Sequence, residues 1–92
     1  MIEERVRITN RLGLHARAVA QLVRLASGFK STVRLERVDG SASADAKSIL
    51  SVLMLAAPRG TELRAMADGV DEREAIAAVS RLFEEGFGEI EH

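Results

Sequence analysis

The 92-residue sequence predicts an α+β fold in which a mainly antiparallel sheet carries its helices on one face. Segments with alternating apolar residues, typical of strands, are mixed with segments whose apolar residues recur at helical spacing. Their order is βαββαβα, without the steady βα alternation of a parallel sheet. Hydrophobic residues make up 47% of the chain, enough for one core. We expect residues 1–88 to form a single domain and residues 89–92 a frayed C-terminal tail.

The first elements are a strand and a helix joined by a loop. Residues 2–9 alternate apolar and polar side chains and predict the strand. Residues 10–14 form the loop, where Gly13 allows an unusual backbone angle. Residues 16–27 predict a helix, and Gly28 is its expected stop. The buried stripe of this helix is expected to comprise Val19, Ala20, Val23 and Ala26.

A hairpin is predicted next. Residues 32–38 alternate again and predict a strand. The pair Asp39-Gly40 is typical of a two-residue turn, which would lead into a short returning strand at residues 41–45.

The second half of the chain predicts a helix, a strand and a helix. The short helix covers residues 47–55 and the strand covers residues 61–67. The last helix begins at Asp71, which forms a capping-box-like start with Glu74, and it extends to residue 85.

The segment Gly13-Leu14-His15-Ala16-Arg17 places a histidine where the first loop enters the first helix. The backbone N–H groups and the positive dipole end of a helix start favour an anion beside the imidazole. Arg17 adds a planar, permanently charged fork. These parts suit a histidine that accepts a phosphoryl group. A polar cap or an ordinary surface residue is the alternative interpretation of His15. The other histidine is the terminal His92, expected to be frayed.

Composition excludes several classes of function. A net charge of −1 argues against general nucleic-acid binding. The chain has no apolar run that could span a membrane, and its acidic start does not resemble a signal peptide. It has no cysteine, which fits a reducing cytosol, so we expect a cytoplasmic protein. Without cysteine and with two distant histidines, a His/Cys metal site is hard to build, and we expect no metal.

Charge is unevenly distributed along the chain. Residues 1–37 carry eight Lys/Arg and three Asp/Glu, whereas residues 38–92 carry five and eleven. A basic first half could steer acidic or phosphorylated partners towards His15. The alternative is that the two halves interleave in the fold, so that the asymmetry cancels.

The predicted short helix is apolar on more than one face. Ile49 and Leu53 share one face and Leu50 and Met54 another. One short helix cannot bury all of them against one sheet, so part of this surface is expected to lie in solvent as a partner site. A fully buried segment is the alternative. Ser48 is expected at the N-cap, where capping explains a serine fully, although phosphorylation would also be tolerated there.

Two segments resemble the HPr phosphocarrier family. Residues 10–17 are similar to its active-site segment, and Lys47-Ser48-Ile49-Leu50 is similar to its regulatory serine segment. The resemblance implies an open-faced β-sandwich: a four-stranded antiparallel sheet with three helices on one side. It implies that Enzyme I phosphorylates His15 on Nδ1, that the group passes to an EIIA-type domain, and that an HPr kinase/phosphorylase modifies Ser48. It also implies a monomeric carrier of the phosphotransferase system, neither an enzyme itself nor dependent on a cofactor.

Within this interpretation, Arg17 would pair with phosphoryl oxygens during transfer. A small apolar patch with basic groups around it would bind the partner enzymes. The residues expected in this docking surface are Leu14, Ala16, Ala20, Gln21, Arg24, Ile49 and Leu50.

The branch of the family is left open by the sequence. Residues 10–13 and 82–88 look like the nitrogen-type branch, NPr, which regulates without driving sugar uptake, whereas Ser48 after Lys47 looks like the kinase-regulated branch. Ala18 stands where HPr proteins often have proline, which should not disturb the first helical turn. Three alternative functions fit parts of the sequence: a histidine phosphatase or nucleoside-diphosphate-kinase-like enzyme, a regulator that signals through Ser48 alone, and a small RNA-binding module.

Overall fold

The computed structural model describes residues 1–89. In this part of the chain the element order is βαββαβα, as the sequence predicts, and a short 3₁₀ turn at Gly86–Gly88 follows the last helix. The elements are β1 (Ile2–Arg7), α1 (Ala16–Ser27), β2 (Thr32–Arg37), β3 (Ser43–Asp45), α2 (Ile49–Leu53), β4 (Glu62–Asp68) and α3 (Glu72–Glu84). No described helix is long and apolar enough to cross a membrane.

The four strands form one antiparallel sheet in the order β1-β4-β2-β3. Alternate side chains of the strands are buried on the face that the helices cover, and those on the other face are mostly polar and mostly exposed. The buried set comprises Val6, Val33, Leu35, Ala44, Leu63, Ala65 and Ala67. α3 packs on β1 and β4, while α1 contacts α2 and α3. The predicted open-faced sandwich is therefore confirmed.

The buried stripe of α1 differs in part from the prediction. The buried residues are Ala18, Val19, Leu22 and Ala26. Val19 and Ala26 were predicted correctly, whereas Ala20 and Val23 are only half-buried. The stripe is centred on Leu22, four residues from Ala18 and from Ala26, so the true core-facing side of the helix is rotated from the predicted one.

The loop between β2 and β3 is longer than predicted. The N–H of Arg37 donates to the carbonyl of Ala42 at 2.9 Å, so residues 38–41 lie in the loop and a two-residue turn at Asp39-Gly40 is wrong. Gly40 adopts a positive φ of 78° and its N–H donates to the Arg37 carbonyl at 2.8 Å. The returning strand and the turn glycine were correctly located, but the strands first pair at Arg37 and Ala42, which leaves a longer loop than a two-residue turn.

The predicted capping box at α3 is also wrong, because Asp71 caps no N–H group of that helix. Its carboxylate accepts hydrogen bonds from the backbone N–H groups of Lys30 (2.8 Å) and Ser31 (2.9 Å) and from the Ser31 hydroxyl (2.5 Å). Chiefly the Ser31 hydroxyl, then the Lys30 N–H, lower the pKa of Asp71 to about 2. Asp71 thus ties the start of α3 to the connection between α1 and β2.

The strand order interleaves the two differently charged halves of the chain. β1 and β2 belong to the basic half, and each pairs with β4 from the acidic half. Ion pairs join the halves across the sheet, with Arg7 Nη2 at 2.9 Å from Glu62 Oε1 and Arg64 Nη2 at 3.0 Å from Glu36 Oε1. Of the two interpretations of the charge asymmetry, the fold supports interleaving.

Candidate functional site

The loop before α1 is fixed against the segment before β4. Gly13 has a φ of +67°, and a Cβ there would lie 2.7 Å from the carbonyl oxygen of Ala57, so both backbone conformation and space require glycine. The Leu14 N–H donates to the same Ala57 oxygen at 3.0 Å. The buried Asn10 side chain donates from Nδ2 to the Gly13 carbonyl at 2.7 Å. The residue that follows this loop therefore has a fixed position.

That residue is His15, the N-cap of α1. Its backbone is extended, with φ −76° and ψ 173°, and its carbonyl accepts the first helical hydrogen bond from the Val19 N–H at 2.9 Å. The imidazole makes no capping hydrogen bond and is 26% exposed. The first N–H groups of a helix have no partner within the helix, so this start favours an anion next to the His15 ring.

One nitrogen of the His15 ring contacts Glu89, which directly follows the 3₁₀ turn. Nε2 forms a hydrogen bond with the Glu89 carboxylate, and Asn10 Nδ2 donates to Glu89 Oε1 at 3.1 Å. Desolvation raises the pKa of Glu89, but hydrogen bonds from His15 and Asn10 outweigh it and leave this pKa below its ordinary value. Nδ1 is the ring nitrogen outside this contact.

Glu89 was missed by the sequence analysis, which placed it in a frayed tail. The expectation of fraying does not extend to Glu89, since its side chain makes these contacts and is only 18% exposed. The rest of the predicted tail, residues 90–92, lies outside the described residues. No local pattern marks Glu89, because its partner His15 is 74 positions away in the sequence.

Arg17 is the second residue of α1 and is exposed. The first turn of the helix contains no acidic residue. Arg17 lies two residues after His15, and no carboxylate of its own helical turn competes for its guanidinium group. Its long cationic side chain can therefore reach an anion at the helix start.

Leu14 was predicted to belong to the docking surface, but its side chain is buried. It is 7% exposed and belongs to the core cluster that includes Val19. A residue just before the N-cap commonly packs against the fourth helical residue, which here is Val19, and this arrangement fixes the entry of the chain into the helix. Leu14 therefore has a structural role.

The apolar surface predicted on α2 is exposed. Ile49 (52%), Leu50 (69%), Leu53 (40%) and Met54 (74%) are all large and accessible, and we call these four residues the α2 patch. Val52 and Leu55, on the third face, are buried and attach the helix to the core. The helix is shorter than the predicted 47–55, at Ile49–Leu53.

The remaining predicted docking residues lie on the accessible side of α1. This helix contacts α2. Ala16 and Arg24 are exposed, while Ala20 and Gln21 are half-buried. Together with the α2 patch they are the residues that we expect in a mixed apolar and polar docking surface. Its apolar part is concentrated in α2, more than the sequence indicated.

Ser48 is the N-cap of α2, as predicted. Its backbone is extended, its hydroxyl oxygen accepts a hydrogen bond from the Ser51 N–H at 3.3 Å, and its carbonyl accepts one from the Val52 N–H at 3.1 Å. The side chain is half-buried. Capping is therefore a sufficient structural reason for serine at this position.

A family model described as the PTS HPr component phosphorylation site matches residues 2–85. The chain belongs to the HPr family of phosphocarrier proteins. The phosphocarrier protein HPr of Xylella fastidiosa (strain Temecula1 / ATCC 700964) is 46% identical over 89 residues, which cover 97% of this chain and 98% of the relative. The phosphocarrier protein NPr of Escherichia coli (strain K12) is 41% identical over 88 residues, covering 96% and 97%.

Solved structures of HPr proteins match the fold as a whole. The crystal structure of HPr-C-His from Thermoanaerobacter tengcongensis has a TM-score of 0.92 at 38% identity and covers 99% of this chain and 100% of its own. An HPr dimer from the same organism has a TM-score of 0.75 at 39% identity, covering 97% and 100%. The existence of that dimer qualifies the expectation of a monomer, which stays a prediction for this chain.

Proposed function

We propose that this HPr-family protein accepts a phosphoryl group from Enzyme I on Nδ1 of His15 and passes it to an EIIA-type domain. The observation that carries the proposal is the placement of His15. Its partly exposed imidazole stands at the N-cap of a twelve-residue helix, it is not used for capping, and it has one nitrogen outside the Glu89 contact. Membership of the HPr family supports the same residue.

The chemistry needs few groups from the carrier itself. A neutral imidazole nitrogen attacks phosphorus directly, so no general base is required for the step. Arg17 is proposed to contact the phosphoryl oxygens as the group passes through the transfer geometry. The carrier must also release the group, and one exposed arginine with a helix start holds an anion only moderately. We infer that the protein carries the group and that its partner enzymes supply metal and the rest of catalysis.

Partner docking is assigned to the α2 patch together with the accessible side of α1. Both Enzyme I and an EIIA-type domain would use this surface in turn, in brief contacts that typically bury less than about 1,200 Å². Brief one-to-one docking fits a monomeric carrier. We place its activity in the cytoplasm, which the lack of cysteine favours.

Regulation through Ser48 is a second part of the proposal. Ser48 adjoins Ile49 and Leu50, the first two residues of the α2 patch. A phosphate added by an HPr kinase/phosphorylase would bring about −1.5 to −2 charges to the edge of the docking surface and weaken binding of an acidic partner.

The nitrogen-type function is the alternative, and the NPr relative supports it. Both branches use the same histidine, so the two functions differ in the acceptor domain. When the phosphorylated protein is mixed with equal amounts of a sugar-type and a nitrogen-type EIIA domain, the domain that belongs to its own branch should receive the phosphoryl group first. Transfer to the nitrogen-type domain alone would overturn a role in sugar uptake.

The proposal is tested by labelling with phosphoenolpyruvate and Enzyme I. We expect acid-labile label in the wild-type protein and in His92→Ala, which removes the other histidine of the chain. We expect none in His15→Ala. Stable labelling of His15→Ala would show that another residue is the acceptor.

A further inference from the structure

One oxygen of the Glu89 carboxylate, Oε1, makes two contacts. It accepts a hydrogen bond from Asn10 Nδ2 at 3.1 Å, and it contacts Nε2 of His15. Asn10 is itself 3% exposed and anchored, because the same Nδ2 donates to the Gly13 carbonyl at 2.7 Å. The loop before α1 thus fixes Asn10, Asn10 positions Glu89, and Glu89 meets the ring.

This contact determines which nitrogen of His15 carries the proton. An ionised carboxylate only accepts hydrogen bonds, so Nε2 must be the donor. In a neutral imidazole the other nitrogen then has the free lone pair, and that nitrogen is Nδ1. The lowered pKa of Glu89, in which hydrogen bonds from His15 and Asn10 outweigh desolvation, is consistent with an ionised carboxylate at neutral pH.

We propose that Glu89 is a positioning residue that keeps the proton of His15 on Nε2 and leaves Nδ1 as the nucleophile, an inference that rests on the proposed phosphocarrier function. In the transfer step the Nδ1 lone pair forms the new N–P bond. The bond between phosphorus and the donor atom of Enzyme I breaks, and its electron pair returns to that donor atom. His15 loses no proton, because Nε2 keeps its hydrogen.

The ring consequently gains one positive charge as Nδ1 bonds to phosphorus. The Glu89 carboxylate, already hydrogen-bonded to Nε2, lies next to this charge and stabilises it. A carboxylate has the same role behind the histidine of a hydrolytic triad, where it fixes the tautomer and stabilises the imidazolium. Glu89 is expected to raise the rate of phosphoryl acceptance without touching the phosphoryl group.

The test measures the tautomer and the transfer rate separately in the full chain. Nitrogen-15 NMR of the neutral His15 ring should show the hydrogen on Nε2 in the wild-type protein. Glu89→Gln and Glu89→Ala should shift the spectrum towards a mixture of tautomers and slow phosphoryl acceptance from Enzyme I roughly tenfold. The matched control is Glu85→Gln, which removes a carboxylate from an exposed residue near the same end of the chain and should change neither measurement.

Unchanged tautomer populations in both Glu89 variants, or unchanged rates of acceptance, would overturn the inference. Equal melting temperatures of the variants and the wild type show that a slower rate does not come from unfolding. Failure of the wild-type protein to become labelled would contradict the proposed function instead, and the NMR result would still report on the contact between Glu89 and His15.

Discussion

Arg17 and His15 belong to the same first turn of α1, yet their structural surroundings differ. His15 is the N-cap and contacts Glu89, whereas the Arg17 side chain extends from an exposed position on the second helical residue. An exposed arginine beside a helix start contributes little to packing, so its value lies in the charge that it presents to an anion.

Replacing Arg17 by alanine is therefore expected to slow phosphoryl transfer and to leave the melting temperature unchanged. Loss of one charge-assisted contact costs about 1.5–3 kcal/mol, or roughly a 10- to 150-fold lower transfer rate. Arg73→Ala is the matched control, because Arg73 is also an exposed second residue of a helix, in α3. Equal rates for the two variants would show that Arg17 has no specific role.

Asp71 offers a test of structure that is independent of function. Its folded-state pKa of about 2 lies below the ordinary value of 3.8, so ionised Asp71 stabilises the fold at pH values above 3.8. This stabilisation is lost as the pH falls from 3.8 through about 2, where the carboxyl becomes protonated in both states. Asp71→Asn should lower the melting temperature at neutral pH.

The gap between wild type and Asp71→Asn should then close over that acidic interval. Thermal unfolding followed by circular dichroism across the interval measures it. A gap that stays constant with pH would mean that Asp71 acts through its shape and not through its charge.

Residues whose signal is local were predicted correctly, and residues whose role depends on a distant partner were not. His15 and Ser48 were placed at helix starts because a cap is recognised from its neighbours in sequence. Asp71 was misassigned because its hydrogen-bond partners are Lys30 and Ser31, about forty positions away. The same reason hid Glu89, whose partners Asn10 and His15 lie at the other end of the sequence.

The segment around α2 has a buried side and an exposed side that is proposed to bind partners, and two leucines distinguish them. Leu50 is 69% exposed and Leu55 is 2% exposed. Leu55→Ala should destabilise the protein by about 2–5 kcal/mol, because it leaves a cavity in the core. Leu50→Ala should leave stability nearly unchanged and weaken binding to Enzyme I.

Denaturant unfolding and a binding titration on the same two variants check this contrast. Unaltered Enzyme I affinity in Leu50→Ala would remove that leucine from the docking surface. A loss of stability in Leu50→Ala would contradict its exposure.

Ser48→Asp is expected to reduce phosphoryl transfer to His15 without destabilising α2, since aspartate is as good an N-cap as serine. The added charge lies beside Ile49 and Leu50 and should repel an acidic partner, so the deficit should shrink as salt is added. Ser43→Asp is the matched control, because Ser43 is exposed on the sheet face opposite the helices. A deficit that does not respond to salt would indicate a steric block.

At the scale of elements, the order follows from periodicity, and so do the bounds to within two residues, because strands and helices differ in the spacing of their apolar residues. The hairpin loop and the core-facing side of α1 were less predictable. Arg37 pairs with Ala42 and not with a residue next to Asp39-Gly40, since pairing register depends on the whole sheet. Likewise, the buried stripe of α1 is centred on Leu22 because this helix must fit against its neighbours α2 and α3.

For the whole molecule, the interleaved halves reduce the long-range field that the uneven charge along the sequence suggests. We therefore expect recognition to depend on the local surface of α1 and α2, where apolar side chains are exposed next to the helix that follows His15. The sequence could not show this, because the pairing of β4 with both β1 and β2 is a property of topology.

The most direct test of the central claim is to locate the phosphorus in the phosphorylated full-length protein. Enzyme I and phosphoenolpyruvate should give one phosphohistidine, and nitrogen-15 and phosphorus-31 NMR should show phosphorus bonded to Nδ1 of His15. Phosphorus on Nε2 of His15, on His92, or on no histidine would contradict the account.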